Sequence, residues 1–163
     1  ERLAEIIGEA HGMVMDAFRA TGRDPAGVTI AFDVPENLTL EISRHQIVRA
    51  VGNVLKNAYE SFANDPQTFG SGRIAVAGRP LDGDRIEIVV RDTGMGLSPD
   101  ELADVRRFVP GGTSKKTHGT GFGLPIAKRK IEDHGGLLAI DSVVDEGSTV
   151  TITLPVEAGG DGE

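Results

Sequence analysis

The sequence predicts an α+β sandwich, a mixed β-sheet covered on one face by about three helices. Two observations carry this. Apolar residues recur at helical spacing in three separated segments, and two pairs of segments alternate apolar with polar residues around short polar turns. A chain of 163 residues is long enough for one domain with a proper core, and neither a repeat nor an internal linker interrupts it.

The elements follow in order. Leu3, Ile6, Ile7, Ala10, Val14, Ala17 and Phe18 form one stripe of an amphipathic helix over residues 1–20. "GVTIAFDVP" and "LTLEI" read as short strands around the turn residues Pro35, Glu36 and Asn37. Ser43 with Gln46 three residues later gives a capping box, opening a helix to about Phe62. "GRIAVAGRP" and "DRIEIVVRD" are a hairpin turning at Asp82-Gly83. Ser98-Pro99-Asp100-Glu101 is a helix start. A glycine loop leads into a helix from about Leu124 to Asp133, ended by Gly135-Gly136. "LLAIDSVV" and "STVTITLP" close the fold as a second hairpin, and the tail 157–163 is expected to be disordered.

Composition removes several functions. A net charge of -8 argues against nonspecific nucleic-acid binding, which needs basic side chains to neutralise phosphates. With no cysteine there are neither disulfides nor thiolate metal sites, which fits a reducing, cytoplasmic compartment. No apolar run approaches a membrane span and no signal-peptide pattern opens the chain, so membrane contact by this domain is not expected. Twenty-two glycines, many of them between positions 94 and 147, mark loops with a task.

Three constellations can carry chemistry. On the helix 44–62, Ile47, Val51, Val54, Leu55, Ala58 and Phe62 form the apolar stripe, with Arg49, Asn53, Lys56, Asn57 and Glu60 roughly opposite. Two mid-helix asparagines cost up to about 0.7 kcal/mol each relative to alanine, so a plain solvated face would use other residues. Neutral amide oxygens on one face suit Mg²⁺ already bound to anionic phosphates. Second, the alternating strand ends in "DTGMGL". Asp92 there is either an Asx turn or an acceptor for a donor such as the exocyclic amine of adenine, with Gly94 and Gly96 allowing close backbone approach. Third, "GGTSKKTHGTGFGL" combines Gly111, Gly112, Gly119, Gly121 and Gly123 with Lys115 and Lys116 ahead of a helix with Pro125 in its first turn. Its spacing fits neither a Walker A loop nor a Rossmann fingerprint, and it reads as a flexible loop or as a basic lid over a polyphosphate. His134, before the Gly-Gly end, is read as a cation on a helix dipole; His11 and His45 have no partner motif, and His118 sits in the loop.

In this order the three constellations resemble the ATP-binding catalytic domain of bacterial sensor histidine kinases, of the GHKL (Bergerat-fold) superfamily shared with gyrase B, the Hsp90 chaperones and MutL. "VGNVLKNAYESF" resembles the N box, "DTGMGL" the first glycine box, "RRFVPGGTSKK" the F box and "GTGFGL" the second glycine box. The resemblance runs from about Val28 to Pro155, implying an ATP-binding domain over residues 1–156 with a lead-in helix at 1–20. By position it implies that Asn57 ligates Mg²⁺ and that Asn53 lies beside it near the phosphates. Asp92 would bond the adenine amine, and Gly94 and Gly96 would line the base pocket. Lys115, Lys116, Gly119, Thr120, Gly121, Gly123 and Leu124 would cover the triphosphate, with Lys115 assisting transfer, and Thr149 would join the adenine network. Gly111-Gly112 replaces two common aromatic residues, Phe122 a common leucine, and Glu60 an often basic residue.

Hydrolytic relatives place a glutamate four residues before the metal-binding asparagine. Here that position is Asn53, whose amide is no general base, so water attack is disfavoured. None of the four histidines carries the family's phosphoacceptor pattern. The resemblance therefore implies transfer of the γ-phosphoryl group of Mg-ATP to a histidine on a separate dimerisation domain of the same kinase, then to a response-regulator receiver. The isolated domain is expected to be a monomer and the parent a homodimer. A serine kinase of anti-sigma type and a non-catalytic nucleotide-sensing module are the alternatives.

Overall fold

The computed structural model describes residues 1–62, 71–107 and 123–157. Its elements are α1 (Leu3–Ala20), β1 (Val28–Asp33), α2 (Arg44–Glu60), β2 (Gly72–Asp82), β3 (Arg85–Asp92), α3 (Pro99–Arg106), α4 (Gly123–Asp133), β4 (Leu137–Val143) and β5 (Gly147–Pro155). The sheet runs β1-β2-β3-β5-β4, with β1 parallel to β2 and the other neighbours antiparallel. This is the expected mixed sheet with helices packed on one face, α3 being a short fourth helix at the β4 edge.

Alternation along the strands decides which face is covered. Ile74 and Val76 on β2, Ile86, Ile88 and Val90 on β3, Val150, Ile152 and Leu154 on β5, and Leu138 and Ile140 on β4 are all buried. They meet Leu3, Ile6, Ile7, Ala10, Val14 and Phe18 of α1, the apolar stripe of α2, and Leu124, Ala127 and Ile131 of α4 in one core. The intervening residues, among them Ala75, Arg91, Ala139 and Asp141, stay exposed. Ala17, which the helical spacing placed on the α1 stripe, is exposed because the helix turns it past the edge of that stripe.

Local chemistry differs from the sequence reading at three points. "LTLEI" is not a strand. Thr39 makes one isolated bridge to Arg2, while the Leu40 and Glu41 amides donate to the Glu1 and Val156 carbonyls, so this segment stitches both chain ends without a ladder of its own. Ser43 is the N-cap of α2, but its side chain makes no capping bond. Its N–H, which Gln46 would take in a capping box, donates instead to His134 Nε2 at 3.4 Å. His134 Nδ1 donates to the Lys130 carbonyl at 2.8 Å, so both ring nitrogens of His134 are engaged and the side chain joins the ends of α2 and α4. The β2–β3 turn also departs from a two-residue turn with positive φ. Gly83 is outside the left-handed region, Asp84 N–H donates to Asp82 Oδ1, and a bulge at Leu81 adjusts the register.

Other signals hold. Ser98 and Glu101 form a complete capping box on α3. After α4 the Gly135 and Gly136 amides donate to the Glu132 and Ile131 carbonyls, the paired bonds of a Schellman end.

The β4–β5 turn is locked against the end of β3. Gly147 has φ +121°, and a Cβ there would fall 1.9 Å from the Asp92 carbonyl oxygen. Gly147→Ala is expected to cost at least about 2 kcal/mol. Gly83→Ala, with nothing within 4 Å of its Cβ position, should stay within about 0.5 kcal/mol of the wild type. Urea unfolding of the two variants measures the difference.

Candidate nucleotide site

The apolar inner face of the sheet ends in a polar row. Along β3 the inward residues are Ile86, Ile88, Val90 and then Asp92; along β5, Leu154, Ile152, Val150 and then Ser148; along β4, Leu138, Ile140 and then Ser142. Strand register sets Asp92 opposite Ser148 and Ser148 opposite Ser142. Three polar side chains thus share one face at one end of the sheet.

Asp92 is 4% exposed. Its Oδ1 accepts from Gly94 N–H at 2.9 Å, from Ser148 N–H at 3.3 Å and from Ser61 Oγ at 3.0 Å, which shares its one proton with the Ala58 carbonyl at 2.7 Å, whereas Oδ2 has no hydrogen-bond partner among the described residues. Burial pushes its pKa above the ordinary carboxylate value, and the three donors pull the other way. Asp92 is therefore both an Asx turn and a carboxylate with one unengaged oxygen.

Helix α2 brings the other segments to it. Ser61, its C-cap, is four residues beyond Asn57 and eight beyond Asn53, so the three lie along one side of the helix. The Met95 amide donates to the Ser61 carbonyl at 3.2 Å. A Cβ on Gly94 would fall 2.0 Å from Ser61 Oγ, so this glycine lets the loop seat on the helix end. Gly96, at φ +67°, does the same for the β4–β5 turn: a Cβ there would meet the Val143 carbonyl oxygen at 2.0 Å. At the far end of the line, the Cβ position of Gly123 is in ordinary contact with Asn53, at 3.8 Å from its carbonyl oxygen and 3.9 Å from its Cβ. Asn53 and Asn57 are half-buried, and their side-chain amides have no hydrogen-bond partner among the described residues. Leu124 turns into the core and anchors the start of α4.

One helix face therefore meets the end of β3 at Ser61 and the start of α4 at Asn53, with Asn57 between them. The family model described as histidine kinase-, DNA gyrase B-, and HSP90-like ATPase matches residues 42–158, which span all of these. The chain belongs to that ATPase family.

Two relatives that this chain is similar to are named as kinases. It is 34% identical over 136 residues to histidine protein kinase DivJ of Caulobacter vibrioides, covering 82% of this chain and 22% of that protein. It is 30% identical over 153 residues to a probable C4-dicarboxylate sensor kinase of Bacillus subtilis, covering 91% of this chain and 27% of that one. The chain thus spans about a quarter of the length of these two relatives. The catalytic domain of histidine kinase ThkA shares the fold at a TM-score of 0.74 and 22% identity, covering 98% of this chain and 97% of that one. The mycobacterial sensor histidine kinase MprB does so at 0.71 and 24%, with the same coverage.

Of the residues expected at the site, Asn53 and Asn57 lie on one side of α2, Asp92, Gly94 and Gly123 meet that side or its end, Gly96 seats on the β4–β5 turn, and Leu124 turns into the core. Thr149 does not join Asp92. It sits on the outer face of the sheet, where Arg91 Nε lies 3.4 Å from its Oγ1. Its neighbour Ser148 occupies the inner position. Glu60, expected on the polar face of α2, is buried and paired with Arg23 at 3.0 Å, because α2 is covered on that side by the α1–β1 connection. Lys115, Lys116, Gly119, Thr120 and Gly121, with Gly111, Gly112, His118 and Phe122, lie outside the described residues. Sequence reasoning missed Ser61, Ser148 and Ser142, although each prolongs a visible pattern: Ser61 extends the Asn53–Asn57 spacing, and the other two interrupt apolar alternation at the same strand ends as Asp92.

Two predictions follow from these contacts. The folded ligand-free domain binds a proton at Asp92 at higher pH than the unfolded chain, so Asp92 makes stability fall as pH rises from the ordinary carboxylate range through the raised value. Asp92→Asn can keep the three bonds to Oδ1 while turning an amide donor toward the ligand. It should remove that slope, leave urea stability at neutral pH equal or higher, and weaken ATP binding in calorimetry by roughly 10- to 100-fold. Glu60→Ala removes the carboxylate that pairs with the buried Arg23 guanidinium. It should cost about 3 kcal/mol in urea unfolding and leave ATP affinity at saturating folded fraction unchanged.

Proposed function

We propose that this domain binds ATP with Mg²⁺ and transfers the γ-phosphoryl group to a histidine on a separate dimerisation domain of the same kinase, for relay to a response-regulator receiver. The observation that carries the reading is the line Asn53, Asn57, Ser61 on α2, with a buried carboxylate held at one end and the start of α4 at the other. Asp92 Oδ2 would take the adenine amine. Asn57 would hold the metal, with Asn53 beside it; two neutral amide oxygens fit a hard cation whose charge is matched by the phosphates. The lid residues Lys115, Lys116, Gly119, Thr120 and Gly121, leading into Gly123, would cover the triphosphate. Mg²⁺, when bound, supplies neutralisation of phosphate charge.

The protein's own part in the reaction is positioning and electrostatics. The bond from the γ-phosphorus to the bridging oxygen breaks and that oxygen leaves on ADP, the unprotonated imidazole nitrogen forms the new bond to phosphorus, and the proton on the other ring nitrogen passes to solvent. Asn53 cannot take a proton from water, which favours a delivered nucleophile over hydrolysis.

Two of the three described histidines are engaged within the fold, and His45, exposed on α2, lacks the phosphoacceptor pattern. His11 is bonded to Tyr59 Oη at 3.0 Å and set edge-on to Phe32, and burial lowers its pKa. Both ring nitrogens of His134 are engaged. No helix among the described residues is long and apolar enough to cross a membrane. We assign the domain to the cytoplasm, where ATP is available.

With a purified acceptor domain supplied, Asn57→Ala should lower phosphoryl transfer by at least about 100-fold. The phosphorylated product of the wild type should be labile to acid, as a phosphohistidine is. Unchanged transfer by the variant, or an acid-stable phosphoserine product, would refute this assignment.

A further inference from the structure

We propose that Ser142 is a positioning residue that fixes the direction of the Ser148 hydroxyl and so makes the base end of the site accept hydrogen bonds only. The inference rests on the nucleotide reading above and adds a determinant of which purine it takes.

The available protons fix the direction of each hydrogen bond. Ser142 Oγ lies 3.1 Å from the Gly147 carbonyl oxygen, 2.8 Å from Ser148 Oγ, and 2.8 Å from the Leu97 nitrogen, whose N–H it accepts. A hydroxyl has one proton and two lone pairs. The Gly147 carbonyl can only accept, so the Ser142 proton points there. With the Leu97 N–H on one lone pair, the other receives the proton of Ser148. Every valence of Ser142 is then used. The opposite assignment, with Ser142 donating to Ser148, would set a lone pair against the Gly147 carbonyl oxygen at 3.1 Å.

With its proton committed to Ser142, Ser148 Oγ presents only lone pairs to anything else that reaches it. Ser148 shares the inner sheet face with Asp92 and donates its N–H to Asp92 Oδ1. Asp92 Oδ2 and Ser148 Oγ are then both acceptors, on residues paired across β3 and β5. An exocyclic amine, as on adenine, satisfies such a pair directly or through a water. The carbonyl oxygen that guanine carries at that position would meet acceptors on every side, and unpaired buried polar groups are what make such sites discriminate. Ser142 also ties the first glycine box to the β4–β5 turn through Leu97 and Gly147, so its orientation is over-determined by two backbone groups.

The test is calorimetric titration with Mg²⁺ and non-hydrolysable analogues of ATP and GTP, on the wild type, Ser142→Ala, Ser148→Ala and the double variant. Ser142→Ala releases the Ser148 proton toward the ligand, and the ratio of ATP to GTP affinity should fall about tenfold. Ser142→Thr, which retains the hydroxyl, should restore it. In the Ser148→Ala background, replacing Ser142 should leave the ratio unmoved, because the hydroxyl it directs is gone. Equal weakening of both nucleotides by Ser142→Ala, with the ratio preserved, would overturn the proposal while leaving the nucleotide site standing. Should Ser142→Ala fail to fold, a wild-type-like ratio in Ser148→Ala would overturn it equally. A wild-type protein that binds neither analogue would remove the functional reading, and this inference with it.

Discussion

The structure depends on one buried carboxylate. Asp92 ends an apolar strand face, where an ionised group loses most of its hydration, and only a dense set of donors makes that position tolerable. Those donors come from three places: the loop that follows it, the C-cap of α2 and the strand beside it. Each must be brought within hydrogen-bond distance of one oxygen. The close seating of Gly94 on Ser61, and of the β4–β5 turn on Gly96 and on the Asp92 carbonyl, follows from that demand. All three donors fall on Oδ1, and among the described residues none reaches Oδ2. Fold and site are thus built by the same contacts, and a change that loosens one loosens the other.

Helix α2 serves as the rule along which the site is laid out. From Asn53 to Ser61 it spans about 12 Å at 1.5 Å per residue. That length separates the end of β3, held through Ser61 and Asp92, from the start of α4, which meets Asn53. The opposite side of the helix carries Ile47, Val51, Val54, Leu55 and Ala58 into the core, so the polar line cannot rotate without unpacking the domain. The buried Glu60–Arg23 pair and the His134 bridge hold the same helix at points away from the ligand.

Most of this was legible in the residues, and the failures have physical causes. Mid-helix asparagines and an aspartate closing an apolar strand stood out because each breaks a local preference that nothing nearby explains. Thr149 and Ser148 differ by one position, and a period of two sends adjacent residues to opposite faces, so strand register was needed to choose between them. Glu60 looked solvated because its partner, Arg23, lies 37 positions away in a connection with no secondary structure. The Ser43 cap failed for a similar reason: a histidine 91 residues on took the N–H that a local side chain was expected to satisfy. "LTLEI" has the alternation of a strand, but its amides go to the two chain ends. Local patterns identified the polar residues; long-range pairing decided what they touch.

The central claim is that Asp92 and the Asn53–Asn57 line form a single cradle, and backbone and side-chain amide NMR tests it directly. On titration with a non-hydrolysable ATP analogue and Mg²⁺, the amides of Gly94 and Ser148 and the side-chain amides of Asn53 and Asn57 should shift together, with one dissociation constant and one equivalent of ligand. Movement of the Gly94 and Ser148 signals while both asparagine side chains stay still, or saturation of the two groups at different ligand concentrations, would contradict it.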